Sequence, residues 1–104
     1  MVFRIVPTLP AVEDTEEIVD YIQSDSAEAA AKWLEGLWDM IESLRTMPLR
    51  FAVIPESLIL NTPYRSCLYH SHRIIYRVDE TEKVVYIVRI YHVARTPLQP
   101  VDFD

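Results

Sequence analysis

Histidine and arginine are the residues of this sequence best suited to acid–base or anion chemistry, and they concentrate in its second half. The three histidines are His70, His72 and His92, and histidine is the usual general acid or base near neutral pH. His70 and His72 flank Ser71 where two β-prone runs meet, so we interpret that pair as part of a turn. His92 lies near the end of the longest β-prone run and is the better catalytic candidate, with a structural histidine as the alternative.

The same residues do not predict a metal centre. Zinc sites need three or four ligands, and beyond the histidines the sequence offers one cysteine, Cys67, without a recognisable ligand spacing. A single cysteine excludes an internal disulfide framework, and a single glycine, Gly36, excludes a glycine-rich phosphate loop. We therefore predict neither a metal nor another cofactor.

Arginines form the second group with chemical potential. Five of them occur between positions 65 and 95: Arg65, Arg73, Arg77, Arg89 and Arg95. Because alternate side chains of a strand share a face, Arg73 and Arg77 point to one side, and Arg65 and Arg89 would extend a cluster there. Clustered guanidinium groups bind phosphates or carboxylates through paired hydrogen bonds. The alternative is that these arginines pair with acids of the chain itself.

Composition and charge limit the class of protein. A chain of 104 residues, half of them apolar, predicts one domain, which we place at 1–96, followed by an acidic tail at 97–104. The formal charge of −6 opposes broad nucleic-acid binding, because affinity for nucleic acids depends on neutralising phosphates. No apolar run approaches the ~20 residues that span a bilayer, and the N-terminus lacks a signal-peptide pattern. We therefore expect a cytoplasmic protein without a membrane partner.

Two helices are predicted in the first half. Ala11, Thr15, Ile18 and Ile22 recur at helical spacing after Pro10, a residue common in the first turn, and Thr8 is a possible cap. A second stripe runs along about 20 residues after a break at "SDS", where Asp25 or Ser26 would cap the helix. Its members are Ala30, Leu34, Leu37, Ile41 and Leu44. The short break predicts an antiparallel helical hairpin, with its stripes in the core or, as the alternative, forming a groove for a partner's helix.

Four strands complete the pattern. They are predicted at Val2–Val6, Tyr64–His70, Arg73–Val78 and Val84–Arg95, the last as a central strand, with "DETEK" as a hairpin turn and a short extended piece at Leu58–Leu60. The order β-α-α-β-β-β predicts an α+β fold with the helical hairpin on one face of a mostly antiparallel four-stranded sheet. We expect Ile74, Tyr76 and Val78 to face the helices. On the last strand, we expect Val88, Ile90 and His92 on one face, and Arg89, Tyr91 and Val93 on the other.

The order and spacing of these segments resemble a known superfamily. The segments are "AVEDTEEIVDYI", "AEAAAKWLEGLWDMIESLRTMP", "PES", "YRSCLYHSHRIIYRVDE" and "VVYIVRIYHVAR". Together they resemble the RelE/ParE toxins of type II toxin–antitoxin modules, also called plasmid stabilisation proteins. The resemblance implies a small growth inhibitor silenced in a hetero-oligomer with a cognate antitoxin.

The resemblance implies two alternative targets. The helical hairpin and the ending "HVAR" are closer to the ParE-like branch, which implies a poison of DNA gyrase that uses Arg65, Arg73 and Arg95 as surface contacts. The RelE-like branch cleaves mRNA on the ribosome, and by similarity Arg65 and Arg73 would stabilise the phosphate while His92 acts as acid or base. Val93 replaces the terminal tyrosine of that branch. A third hypothesis is a non-toxic protein of the same fold that only binds an antitoxin-like partner.

Overall fold

The computed structural model describes residues 2–94 and has the predicted α+β architecture. Its elements are β1 (Arg4–Pro7), α1 (Leu9–Gln23), α2 (Ala27–Glu42), α3 (Ser57–Leu60), β2 (Arg65–Tyr69), β3 (His72–Asp79) and β4 (Val84–His92), with 3₁₀ turns at Ser43–Arg45 and Pro48–Arg50. Arg95 and the predicted acidic tail at 97–104 lie outside the described residues.

The four strands form one mixed sheet in the order β1-β4-β3-β2. β1 is parallel to β4, whereas β3 is antiparallel to both β4 and β2. The longest strand, β4, is therefore internal, as its length predicts. The acidic turn between β3 and β4 is closed by Asp79, whose carboxylate accepts hydrogen bonds from the backbone N–H groups of Thr81 and Glu82.

The helical hairpin packs on one face of this sheet. Ser26 caps α2, as predicted, by accepting a hydrogen bond from the backbone N–H of Ala29. Thr8 occupies the N-cap position of α1, but its hydroxyl donates instead to the carbonyls of Ile87 and Val88 and so ties the helix start to β4. Within residues 2–94, no helix is long and apolar enough to span a bilayer.

Each face of the sheet carries its own apolar cluster. The helix-covered face buries Ile74 and Tyr76 of β3 against Leu37 and Ile41 of α2, with Val78 partly buried beside them, as predicted. The second face is covered less completely. Its cluster is formed by Ile54, Ile75, Val88 and Tyr91, with Tyr64 and Tyr86 at its margin. The opposite side of the sheet from the helices is therefore not fully open, because the segment around Ile54 lies over it.

A β-bulge in β4 breaks the predicted alternation. Tyr76 is opposite Ile87 while the next pair is Ile75 with Arg89, so Val88 is the extra residue. The predicted face is wrong for Val88, which packs with Tyr91 on the second face. Arg89 is opposite Ile75 of the second face, as predicted, but its side chain bonds to Asp14 of α1. Ile90 returns to the helix-covered face, as predicted.

The connection between α2 and β2 contains one further correction. Leu58–Leu60 is predicted to be extended but is helical, with the N–H of Leu60 bonded to the carbonyl of Glu56 and that of Asn61 to Ser57. Asn61 adopts a left-handed conformation, with φ 56°, and ends the turn. The local bonds of this turn override the β propensity of its leucines and isoleucine.

Candidate functional site

Arg89 is bound to the helical layer. Its guanidinium donates two hydrogen bonds to the carboxylate of Asp14 on α1, from Nε at 2.7 Å and from Nη2 at 2.9 Å. The same carboxylate accepts the backbone N–H of Ile90 at 3.0 Å. The ion pair is mostly buried, so Arg89 anchors α1 to β4 and does not join a cluster with Arg73 and Arg77.

Arg65 is also used within the chain. Its Nη1 donates to the carbonyl of Phe51 at 2.7 Å and more weakly to that of Leu49 at 3.3 Å. Its neighbour across the ladder is Tyr76, a residue of the helix-covered face. Arg65 thus fastens the segment before α3 to the edge of the sheet, away from the remaining arginines.

Arg73 and Arg77 are the two predicted arginines that the fold does bring to one side, on the second face. Arg73 donates to a carboxylate oxygen of Glu56 at 2.8 Å, and this pair is about four-fifths buried. Arg77 lies over the ring of Tyr86, 4.1 Å from its centroid, which is close enough for a cation–π interaction. Among residues 2–94, Arg77 forms no ion pair, so its charge is available to a partner.

The most concentrated group of titratable side chains surrounds His72 and His92. These residues are direct neighbours across β3 and β4, with ring centroids 5.0 Å apart and planes at 85°. The sequence prediction missed this pair, because it assigned His72 to a turn with His70. His70 does occupy the turn, with φ 53°, but His72 is the first residue of β3.

The bulge at Val88 explains why the histidine pair is hard to see in the sequence. Counted from the hairpin turn, where Asp79 is opposite Val84, a regular ladder would place Tyr91 opposite His72. The extra residue shifts the register by one position, so His92 takes that place instead. The sequence alone shows only that His72 begins β3 and His92 ends β4, so that both lie far from the turn that joins these strands.

The imidazole of His72 lies in an enclosed environment between the helices and the sheet. The indole of Trp33 on α2 contacts its ring edge-on, with centroids 5.5 Å apart. Its Nδ1 is buried and has no hydrogen-bond partner among residues 2–94. Burial, and secondarily the neighbouring His92, lower the pKa of His72 from the usual value of 6.5. His72 is therefore neutral at physiological pH.

The opening beside the two imidazoles is small and lined by carboxylates. A cavity of about 50 Å³ is bounded by both histidines and by Asp14, Glu17 and Ile18 of α1, together with Ile90. Within residues 2–94, no three histidine, cysteine or acidic side chains are arranged to hold a metal ion. Two imidazoles and two carboxylates therefore line one small opening beside the end of β4.

The residues expected for phosphate cleavage do not converge. Arg73 lies on the second face, whereas His92 borders the cavity under α1 on the other side of the sheet. Arg65 is opposite Tyr76 and His92 is opposite His72, which places them four positions apart along β3, or roughly 13 Å at the rise of a strand. These three side chains cannot contact one phosphate together without rearrangement of the sheet.

Comparisons with known proteins agree with this architecture. The chain matches the family model described as ParE toxin of type II toxin–antitoxin systems, parDE, over residues 5–97. No curated protein matches it. Its fold is similar to that of a chain in the chromosomal ParDE system of P. aeruginosa, with a TM-score of 0.69, 20% identity, and coverage of 88% of this chain and 97% of that one.

A second solved structure has the same fold. It is a chain of the RelBE2 toxin–antitoxin complex of Mycobacterium tuberculosis, with a TM-score of 0.60, 22% identity, and coverage of 91% of this chain and 95% of that one. At these identities the two structures show a shared fold, while the family model covers nearly the whole chain. The chain belongs to the ParE toxin family of type II toxin–antitoxin systems.

Proposed function

We propose that this ParE-type toxin inhibits growth by binding DNA gyrase, and that a cognate antitoxin neutralises it. The observation that supports a binding mechanism over mRNA cleavage is the separation of Arg65, Arg73 and His92 on two faces of the sheet. Cleavage through a ribose hydroxyl needs an acid–base group and cations at one phosphate. A protein that binds its target needs only an accessible complementary surface.

The second face and the edge beside it offer such a surface. Arg77, which forms no ion pair among residues 2–94, is a cation stacked on an aromatic ring, and both residue types are enriched in protein interfaces. Leu58 and Ile59 of α3 are 91% and 74% exposed, and Leu68 on the edge strand is 63% exposed. Exposed apolar side chains beside a cation are suited to a protein partner.

The arginines expected to bind the target have different roles in this proposal. Arg77 is the primary contact and Arg73 supports it from a paired position. Arg65 is held by backbone carbonyls and Arg89 by Asp14, so both contribute mainly through the fold. Arg95 remains a proposed contact outside the described residues.

Expression without its antitoxin tests the function. We expect growth arrest with induced DNA damage, and we expect the purified protein to inhibit supercoiling by gyrase. Co-expression of an antitoxin encoded in an adjacent reading frame should restore growth. Normal growth at good expression of folded protein would contradict the toxin proposal and support the non-toxic partner-binding hypothesis.

A charge-reversal pair tests the proposed surface. Arg77→Glu should weaken gyrase inhibition by at least tenfold, because it replaces the proposed contact cation by an acid. Lys32→Glu on α2 reverses one charge at an exposed helical position and should leave inhibition unchanged. Equal inhibition by both variants would remove the second face from the proposal.

The RelE-like alternative has a distinct outcome. It is favoured by the structural similarity to a chain of a RelBE2 complex and by the presence of His92 near the end of β4. Rapid mRNA cleavage at codons after induction, abolished by His92→Ala, would establish the nuclease and contradict gyrase binding. We expect that His92→Ala leaves growth arrest in place.

A further inference from the structure

The histidine pair lies at the point where the chain leaves the sheet. Immediately after β4, the backbone N–H of Val93 donates to the carbonyl of Ser71 at 2.9 Å. The next N–H, that of Ala94, donates to the imidazole Nδ1 of His92 at 3.0 Å. Two consecutive backbone amides thus fix the chain at the end of β4. The acceptor of the Val93 N–H is a carbonyl, which does not titrate, whereas the acceptor of the Ala94 N–H is an imidazole nitrogen, which can bind a proton.

The bond from Ala94 exists only while His92 is neutral. An imidazole that accepts at Nδ1 carries its single proton on Nε2. A second proton can bind only at Nδ1, and the resulting imidazolium has two donors and no acceptor. Protonation of His92 therefore removes the acceptor of the Ala94 N–H, while the bond from Val93 to Ser71 is unaffected.

The surroundings direct the first proton of the pair to His92. His72 is packed against Trp33 with its Nδ1 buried, so a charge on its ring is opposed by burial. With centroids only 5.0 Å apart, the two rings also oppose a second charge on the pair. His92 differs from it because its Nδ1 has a partner, the backbone N–H of Ala94 at the exposed strand end.

The charged groups nearest the histidine pair lie on α1. On α1, the Asp14 carboxylate is matched by Arg89 of β4, whereas Glu17 borders the same cavity and makes no ion pair among residues 2–94. On α2, the indole of Trp33 contacts the ring of His72, and the Lys32–Glu28 pair is exposed to solvent. On the turn before β3, His70 packs against Tyr69.

We propose that His72 and His92 form a proton-sensitive latch at the end of β4. Neutral His92 holds the chain through the N–H of Ala94, and its protonation on acidification releases that amide, while the enclosed His72 keeps the proton on His92.

Amide hydrogen exchange measured by NMR on the full chain between pH 5 and pH 8 tests the latch, with each rate corrected for the intrinsic effect of pH. We expect protection of the Ala94 amide to fall at least threefold toward pH 5, in step with the titration of the His92 ring resonances. The Val93 amide should keep its protection, because its acceptor does not titrate. His70, on the turn, provides a ring whose titration should not follow Ala94.

A matched variant distinguishes the latch from a general loosening of the structure at acidic pH. In His92→Asn the amide oxygen takes the place of Nδ1 but does not titrate, so Ala94 should stay protected down to pH 5. His72→Gln removes the second imidazole and should shift the Ala94 transition to higher pH. Two results would overturn the proposal. One is that the Ala94 amide loses protection in His92→Asn with the same pH dependence as in the parent chain. The other is that the Val93 amide of the parent chain loses as much protection as the Ala94 amide.

Discussion

At the scale of single residues, the one glycine of the sequence is tightly constrained by its neighbours. A Cβ at Gly36 in α2 would lie 2.2 Å from the hydroxyl oxygen of Tyr69, which donates to the carbonyl of Trp33 at 2.7 Å. The hydroxyl occupies the space that any other residue needs. Helix propensity alone favours alanine over glycine here, so packing and propensity make opposite predictions.

Gly36→Ala should lower the free energy of unfolding by about 1–3 kcal/mol, because the added methyl displaces the ring of Tyr69 and breaks its hydrogen bond. Urea unfolding measures the change. In the Tyr69→Phe background the same substitution should cost less, since the clashing oxygen is absent. A stabilised Gly36→Ala variant would show that α2 moves freely away from the sheet.

His72 predicts how stability depends on pH. Because its folded-state pKa lies below the unfolded value of about 6.5, the unfolded chain takes up the proton first on acidification. Its contribution to stability is therefore complete above the unfolded-state pKa and is lost as the pH falls from there through the lower folded-state pKa. Urea midpoints between pH 5 and pH 8 should fall toward acid, and less steeply in His72→Phe, which keeps an aromatic ring against Trp33. Parallel slopes in the two proteins would contradict this assignment.

Cys67 provides a residue-scale prediction at alkaline pH. Burial raises the pKa of its thiol from 9.0 to about 11, although the positive field of Arg50 opposes the shift. Since the thiolate is the reactive form, we expect labelling by iodoacetamide at pH 8 to be at least tenfold slower in the folded chain than in urea. Equal labelling rates in both conditions would show that the core around β2 opens freely.

At the scale of elements, one buried ion pair connects the helical hairpin to the sheet. Asp14 of α1 and Arg89 of β4 are 9% and 17% exposed at their side chains, and removal of one partner leaves the other charge buried. Asp14→Ala should therefore lower the free energy of unfolding by about 3–5 kcal/mol. Glu13→Ala, at the exposed neighbouring position on the same helix, should change it by less than about 0.5 kcal/mol.

The elements themselves were largely predictable from the sequence, and the failures have specific physical causes. Helical spacing of apolar residues located α2 and its buried Ala30, Leu37 and Ile41, because only one stripe of that helix can face the sheet. The prediction of an extended segment at Leu58–Leu60 was wrong. The helix that forms there, α3, has only four residues, which are too few to show a helical period in the sequence.

The candidate site was much less predictable than the elements. Strand alternation correctly placed Arg73 and Arg77 together, but it placed Val88 on the wrong face and did not connect His72 with His92. Both errors come from the single extra residue at Val88, because one insertion in a strand changes the face of neighbouring side chains and shifts the register beyond it. Nothing in the local composition around Val88 marks that insertion.

At the scale of the whole molecule, the charge balance makes a prediction about nucleic acids. The chain has 16 acidic and 10 basic residues, and Arg65, Arg73 and Arg89 are engaged within the fold. Because non-specific affinity requires free cations, single-stranded RNA should bind more weakly than about 10⁻⁴ M at physiological salt. Fluorescence anisotropy with a labelled oligonucleotide measures this affinity, and micromolar binding would favour the RNA-directed alternative.

The parallel contact between β1 and β4 also has a consequence for synthesis of the chain. Arg4 is opposite Val84. β1 therefore leaves the ribosome before its partner strand β4, which is encoded 80 positions later. At roughly 5–20 residues per second, that delay is about 4–16 s. During this interval the sheet cannot close over the helical hairpin, so the nascent toxin passes through a period without its native surface.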